Sequence, residues 1–297
     1  MPWVRASFCI TLGPQKQGRR GRAVQERLEP FGGTGDEVVF AHANGYPPGS
    51  YRRFVECLLP HCRVTGYRHR PLWSDRAPGR RLSWSHFADD LIHTLEAGMC
   101  GPVWMMGHSL GGAVSIIAAA RAPQLFRGLI LIDPVFVTTQ RALGIRLLPR
   151  AKVQKMPMVR AALRRPEWFR DQQEAFDFHR GKRPYAAITD EVLWDYIRAG
   201  TVPAPEGGVK LAFPRDWEAG IYASVPWIWP SVRRVKLPTL GLCASSNSVL
   251  SEPARRRWAR LQPHAELHSC PGGHLLPMEE PESTAGYVID FLQRQGA

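Results

Sequence analysis

The spacing of apolar and polar positions changes character twice along the chain, and the changes divide it. Between residues 37 and 136, short apolar runs alternate with helical patterns. "EVVFAHA" (37–43), "RVTGYRH" (63–69), "GPVWMMG" (101–107) and "GLILID" (128–133) are of strand length and are bounded by Gly, Pro or Asn turn signals. "WSHFADDLIHTLEAG" (84–98) keeps its apolar residues on one helical face, whereas "LGGAVSIIAAARA" (110–122) is apolar almost all round, as a helix beneath a central sheet should be. The rhythm returns after residue 237 with "TLGLCA" (239–244), "EPARRRWARL" (252–261), "AELHSC" (265–270) and "AGYVIDFLQRQ" (285–295). This alternation predicts an α/β fold, a mostly parallel central sheet with helices on both faces.

Residues 137–236 break the rhythm. They contain short helical patterns such as "RDQQEAFDFHRG" and "DEVLWDYIRAG" and hold twelve of the 29 aromatic residues. A long insertion between two sheet strands is expected to be a helical cap folded over one edge of the core. Its tryptophans, Trp168, Trp194, Trp217, Trp227 and Trp229, either roof a site or build the cap's own small core. The expected organisation is therefore a weakly patterned segment (1–36), a first core part (37–136), the cap (137–236) and a second core part (237–297).

Composition narrows the picture. At 44% hydrophobic and 22% charged, the chain has the balance of a soluble globular protein. No apolar run approaches the roughly 18 residues a membrane span needs. Cys9, Cys57, Cys62, Cys100, Cys243 and Cys270 show no metal-ligand spacing and read as reduced thiols of a cytoplasmic protein. The net charge of +13 divides as +3, +3, +8 and −1 over the four regions, and only six of the 39 basic residues are lysines. No zinc-finger, RNA-binding or recognition-helix pattern accompanies the charge, so it gives no support to nucleic-acid binding. No metal or nucleotide motif is present, and nothing specifies an oligomeric state.

The most specific motif is "GHSLGG", Gly107 to Gly112. It follows an apolar strand and opens a helix, the context that G-x-S-x-G requires. So tight a turn forces Ser109 into a strained conformation with its hydroxyl at the strand's carboxyl end. The helix beneath offers free N–H groups to a developing negative charge.

With two further stretches, "FAHANGYPPGSY" and "SCPGGHLLPMEEP", the chain resembles the α/β-hydrolase superfamily over about residues 37–297, in its capped esterase- and lipase-like branch. The resemblance implies that Ser109 is a nucleophile. It places the oxyanion donors on the backbone N–H of Leu110 and on that of Asn44, or alternatively Ala43. The family's order of serine, acid, histidine implies that His274 is the base; His264, His268 and His108 are the other histidines nearby in sequence.

The acid is the difficulty. Many members carry it after the strand represented by "TLGLCA", but the stretch that follows, "SSNSVLS" (245–251), has no carboxylate. Asn247 stands near that position, and Glu252 belongs to a helix start. Asp133, at the end of "GLILID", lies on the strand that carries the acid in some members, lipases among them. Three readings follow: Asp133 as the acid, Glu252 as the acid, or none. A Ser109–His274–Asp133 triad implies a cofactor-free serine hydrolase acting on a carboxylic ester or related acyl bond of a small, partly hydrophobic substrate. Same-fold perhydrolysis or carbon–carbon bond cleavage stays open, as does a non-catalytic protein that binds a ligand or partner.

Overall fold

A computed structural model describes residues 24–74, 76–79 and 82–296. Strands β1 (Leu28–Gly32), β2 (Glu37–Ala41), β3 (Arg63–Tyr67), β4 (Val103–His108) and β5 (Phe126–Ile132) come first. The strands β6 (Trp168–Phe169), β7 (Thr201–Pro203) and β8 (Val209–Leu211) lie in the inserted segment, and β9 (Thr239–Ala244) and β10 (Glu266–Cys270) follow it. Helices α1 (Arg52–Leu58), α2 (Trp84–Gly98) and α3 (Leu110–Arg121) alternate with the early strands. The insertion holds α4 (Thr139–Leu147), α5 (Arg150–Val153), α6 (Pro157–Arg164), α7 (Gln172–Arg180), α8 (Asp190–Gly200), α9 (Arg215–Tyr222) and α10 (Trp229–Arg234). The chain ends with α11 (Glu252–Leu261), α12 (Leu276–Glu279) and α13 (Pro281–Arg294).

The central sheet runs β1-β3-β2-β4-β5-β9-β10. Only β1 is antiparallel to its neighbour. Strand alternation sorts the core into two layers. Phe40, Met106, Ile130 and Leu242 face the layer of Phe54 (α1) and Phe291 (α13). Ala41, Met105, Leu129 and Leu131 face the layer of Leu91 (α2) and Val114 (α3). At roughly 1.5–3 kcal/mol per fully buried large apolar side chain, these layers hold the helices more firmly than helix propensity does.

Two features differ from the sequence expectation. Residues 1–23 lie outside the described residues, but the segment 1–36 also contains β1. Pro30 is tolerated there because β1 is an edge strand, and its register with β3 shifts between Pro30 and Gly32. The insertion is also not all helix: β6, β8 and β7 form a small antiparallel sheet. Its strands of two or three residues are too short for alternation to be visible in sequence.

The five tryptophans are dispersed. Trp217 and Trp229 are buried with Phe87, Phe136 and Trp258 in the main core, and Trp194 stacks on Phe176 at 4.5 Å. Trp168 and Trp227 are exposed. Burial pushes the thiols of Cys62, Cys243 and Cys270 up to about 11, 12 and 11, which leaves them poor nucleophiles. Among the described residues no helix is long and apolar enough to cross a membrane.

Helix α3 lies so close to the sheet that a Cβ on Gly111 would stand 2.0 Å from the carbonyl oxygen of Ala41, and one on Gly107 would meet the Gly111 backbone at 2.5 Å. Backbone cannot swing aside as a flexible side chain can. Gly111→Ala is therefore expected to destabilise the fold by at least about 2 kcal/mol, whereas Ala161→Gly on the exposed side of α6 should cost about half that. Urea midpoints of the two variants check the comparison.

Candidate active site

Five neighbouring parallel strands deliver their carboxyl ends to one edge of the sheet, where ligands bind in open α/β folds. Asn44 lies beyond β2, Ser109 follows β4, Asp133 follows β5, the stretch 245–251 follows β9, and His274 lies beyond β10. The pairing of His108 with Ile132 places Ser109 and Asp133 side by side on adjacent strands.

Ser109 adopts φ 55° and ψ −112°, a left-handed conformation that a non-glycine residue holds only when its surroundings enforce it. Its N–H donates to the Ile132 carbonyl at 3.0 Å, and its own carbonyl accepts from Val135 at 3.2 Å. The hydroxyl lies 2.9 Å from His274 Nε2. On the other side of the ring, Nδ1 lies 2.6 Å from Asp133 Oδ2. The imidazole therefore has a proton acceptor facing the serine and a donor facing a carboxylate.

Asp133 is fully buried, yet every oxygen is served. Oδ1 accepts from the Ala244 N–H at 3.2 Å and the Ser248 hydroxyl at 2.5 Å. Oδ2 accepts from the Val249 N–H at 3.1 Å as well as from His274. Burial alone would raise this carboxyl, but the hydrogen bond and charge of His274, with the bonds from Ser248 and Val249, hold it below the ordinary aspartate value. The carboxylate-free stretch after β9 thus supplies donors to an acid on the next strand.

The other candidates lie elsewhere. Glu252 is exposed and pairs with Arg256 at 3.0 Å. Asn247 is exposed in a left-handed turn at φ 48°. Glu266 pairs with Arg294 at 2.6 Å, half-buried His268 lies near it at 3.9 Å, and His264 is exposed in the preceding turn.

The loop after β2 is braced from several sides. The N–H of Ala43 donates to the Tyr51 hydroxyl at 3.2 Å, which leaves that of Asn44 as the loop's candidate donor toward the site, opposite that of Leu110 at the start of α3. His42 and His69 are mutually bonded, His69 N–H to His42 Nε2 and His69 Nε2–H to the His42 carbonyl, each at 3.1 Å. From the insertion, the Glu218 carbonyl accepts from Asn44 Nδ2 at 3.1 Å. The Glu218 carboxylate, paired with the half-buried Arg165 at 2.5 Å, covers Gly45 so closely that a Cβ there would lie 3.3 Å from it.

A family model described as "Alpha/beta hydrolase family" matches residues 38–286. The chain belongs to the α/β hydrolase family. It is 30% identical to a rat (Rattus norvegicus) monoglyceride lipase over 130 residues, spanning 39% of this chain and 43% of the lipase, so it matches less than half of that relative's length. Similarity to a putative carbamate hydrolase, RutD of Pantoea ananatis, is lower, at 23% identity, but spans 88% of this chain and 90% of that one. Among solved structures, an E-2-(acetamidomethylene)succinate hydrolase superposes with a TM-score of 0.74 at 20% identity, over 90% and 94% of the two chains.

In this α/β hydrolase, three supporting residues escaped the sequence reading. His108 is completely buried. Its Nδ1 accepts from the Tyr51 hydroxyl at 2.8 Å and its Nε2–H donates to the backbone carbonyl of His274 at 2.7 Å. A continuous chain of hydrogen bonds therefore runs from Ala43 through Tyr51 and His108 to the His274 backbone. His108 adjoins Ser109 in sequence, but its hydrogen bond reaches the histidine loop. Glu279 clamps the same loop, accepting from the N–H groups of Gly273 at 2.5 Å and Leu275 at 3.2 Å. The available signal was an acid five residues after the loop histidine, at the end of the short α12.

Burial pushes four histidines down: His42 to about 4, His108 to about 3, His179 to about 4, and His69 well below the usual 6.5. All four are neutral in the fold and bind a proton near 6.5 once unfolded. Below that pH the unfolded state holds more protons, so stability falls as pH drops from about 6.5 toward 4. Near pH 5 unfolding should take up about four protons from these residues. The depressed Asp133 acts in the same direction only at still lower pH, where the unfolded carboxyl takes up a proton before the folded one does. Urea midpoints that stay level from neutral pH down to about 5 would contradict the assignment.

Proposed function

We propose that this α/β hydrolase is a serine hydrolase that cleaves a carboxylic ester, or a related acyl bond, of a small and partly hydrophobic substrate. The observation that carries the reading is the unbroken line from Ser109 Oγ through His274 to Asp133, at 2.9 and 2.6 Å. His274 Nε2 takes the serine proton as Oγ attacks the carbonyl carbon. Asp133 stabilises the imidazolium and keeps the ring in the tautomer whose Nε2 is free to accept. The N–H groups of Leu110 and Asn44 receive the oxyanion. His274 then returns the proton to the leaving alcohol, and water resolves the acyl-enzyme by the same steps. Residues 137–236 act as the cap, reaching the oxyanion loop through Glu218.

Relatives named monoglyceride lipase, putative carbamate hydrolase and 2-(acetamidomethylene)succinate hydrolase support an acyl bond as the target. An ester is the simplest member of that class. A non-catalytic binding protein was favoured only by the missing acid after β9, and Asp133 at 2.6 Å from His274 supports the catalytic reading instead.

Ser109→Ala should abolish hydrolysis of a short p-nitrophenyl ester and labelling by a fluorophosphonate. Asp133→Asn should lower kcat by about 10²–10⁴ with a much smaller change in KM, because the carboxylate acts on the imidazole and not on the substrate. Near-full activity in a folded Asp133→Asn protein, checked by circular dichroism, would overturn the triad. His108→Leu, which frees the His274 carbonyl without touching the serine, should lower kcat by about tenfold and leave fluorophosphonate labelling measurable; loss of all labelling would give His108 a direct part in activating Ser109.

A further inference from the structure

The positive charge of the insertion is not evenly spread. From Pro134 to Pro166 the chain has eight arginines and lysines and no acidic residue. Arg165 turns inward to Glu218. Arg141, Arg146, Lys152, Lys155, Arg160 and Arg164 are exposed, and among the described residues none of the six makes an ion pair. Elsewhere arginines are commonly matched, as Arg52, Arg70 and Arg121 are to aspartates at 2.9, 2.6 and 2.6 Å.

The same stretch exposes apolar side chains that the fold does not need. Helix α4 buries Ala142 and Ile145, and α6 buries Val159 and Ala162. Each helix carries a second apolar set that points outward. Leu143, Leu147 and Leu148 are 52%, 72% and 38% exposed, and Met158 and Leu163 are 44% and 37%. Trp227, 57% exposed, is held beside α4 by its indole N–H donating to Thr139 at 3.1 Å. These are six of the eight large apolar residues exposed among the described residues. Leu143, Leu148, Leu163 and Trp227 also line one groove of about 1200 Å³ between α4, α6 and the loop before α2. So tight a concentration marks a contact surface.

We propose that this α4–α6 face docks on an anionic lipid surface. Leucine, methionine and tryptophan interleaved with unneutralised arginine and lysine is the composition of helices that lie in a membrane interface. A protein partner would more often meet a surface with lysine depleted and fixed counter-charges built in. A fluid array of anionic headgroups can satisfy cations spread over three short helices without fixed geometry. The long stems of the basic residues reach headgroups while the apolar chains enter the acyl boundary. Docking needs neither Ser109 nor His274, so its failure and the failure of the hydrolase reading are separable.

Sedimentation of the full chain with vesicles of phosphatidylcholine alone, or mixed with phosphatidylglycerol, tests the idea. The protein should bind the mixed vesicles, release them at high salt, and bind the neutral ones at least about tenfold more weakly. Leu143→Ser with Leu147→Ser, and separately Arg146→Glu with Arg160→Glu, should each raise the lipid needed for half-binding by about tenfold or more. Turnover of a soluble short-chain ester should be unchanged in both. All the substituted positions are exposed, and the charge reversal stands as an independent test if the serine variant folds poorly. Three outcomes overturn the proposal: no binding to anionic vesicles, equal binding to neutral ones, or a dimer in solution that the leucine substitutions dissociate, which would make the face an interface between copies of the chain.

Discussion

A carboxylate withdrawn wholly from water costs several kcal/mol unless donors surround it, and the end of β5 is built around that requirement. Asp133 takes hydrogen bonds from Ala244 at the end of β9, from Ser248 and Val249 in the next loop, and from His274 beyond β10. Three segments remote in sequence must hold fixed positions for the charge to be tolerated. The loop after β9 reaches it by a left-handed turn at Asn247, a residue type that accepts that conformation. The ring of His274 is oriented by the same carboxylate that needs its proton. Burial of one charge and alignment of the His274 ring toward Ser109 are therefore one constraint.

Strain gathers at the same edge. Among the described residues only Ser109, Asp133 and Asn247 have positive φ without being glycine, and they follow the adjacent strands β4, β5 and β9. Each such residue costs on the order of 1–3 kcal/mol. The cost is absorbed by the sheet, whose ladder continues past the strand ends through Ser109 N–H to Ile132 at 3.0 Å and Asp133 N–H to Leu242 at 2.7 Å. A second chain of bonds, through neutral Tyr51 and His108, joins the loop that carries Asn44 to the loop that carries His274. Because His108 must donate from Nε2 and accept at Nδ1, only the neutral ring fits. The polar frame behind the site therefore depends on uncharged histidines, and burial keeps them uncharged.

What could be read from the sequence follows from the range of each interaction. Helix α2 was anticipated residue for residue, because a capped amphipathic helix encodes its own limits. Ser109 was visible because an elbow concentrates its demands in six consecutive positions. Asp133 entered as one of three readings through the resemblance, and a parallel sheet aligns carboxyl ends whatever the loops do. Ser248, Tyr51 and His108 could not be read, because each matters through a partner far away in sequence and carries no local pattern. The edge strand β1, broken by Pro30, and the short strands of the insertion lacked enough alternation to register.

Asp133 also shows why two rival readings of a residue need not compete. An aspartate before proline at the end of a strand serves well as the turn into an insertion. Here the left-handed Asp133 does redirect the chain into Pro134 and the inserted segment, whose first helix starts at Thr139. The same residue's carboxylate receives His274. With the acid on β5, the loop after β9 needs only donors, and serine and backbone N–H groups are sufficient. The stretch "SSNSVLS" suits that charge, because it brings a hydroxyl and a backbone N–H to Asp133 and adds no second carboxylate beside it. Burying the Asp133 carboxylate and supplying its donors from the loop after β9 are two sides of the same electrostatic requirement.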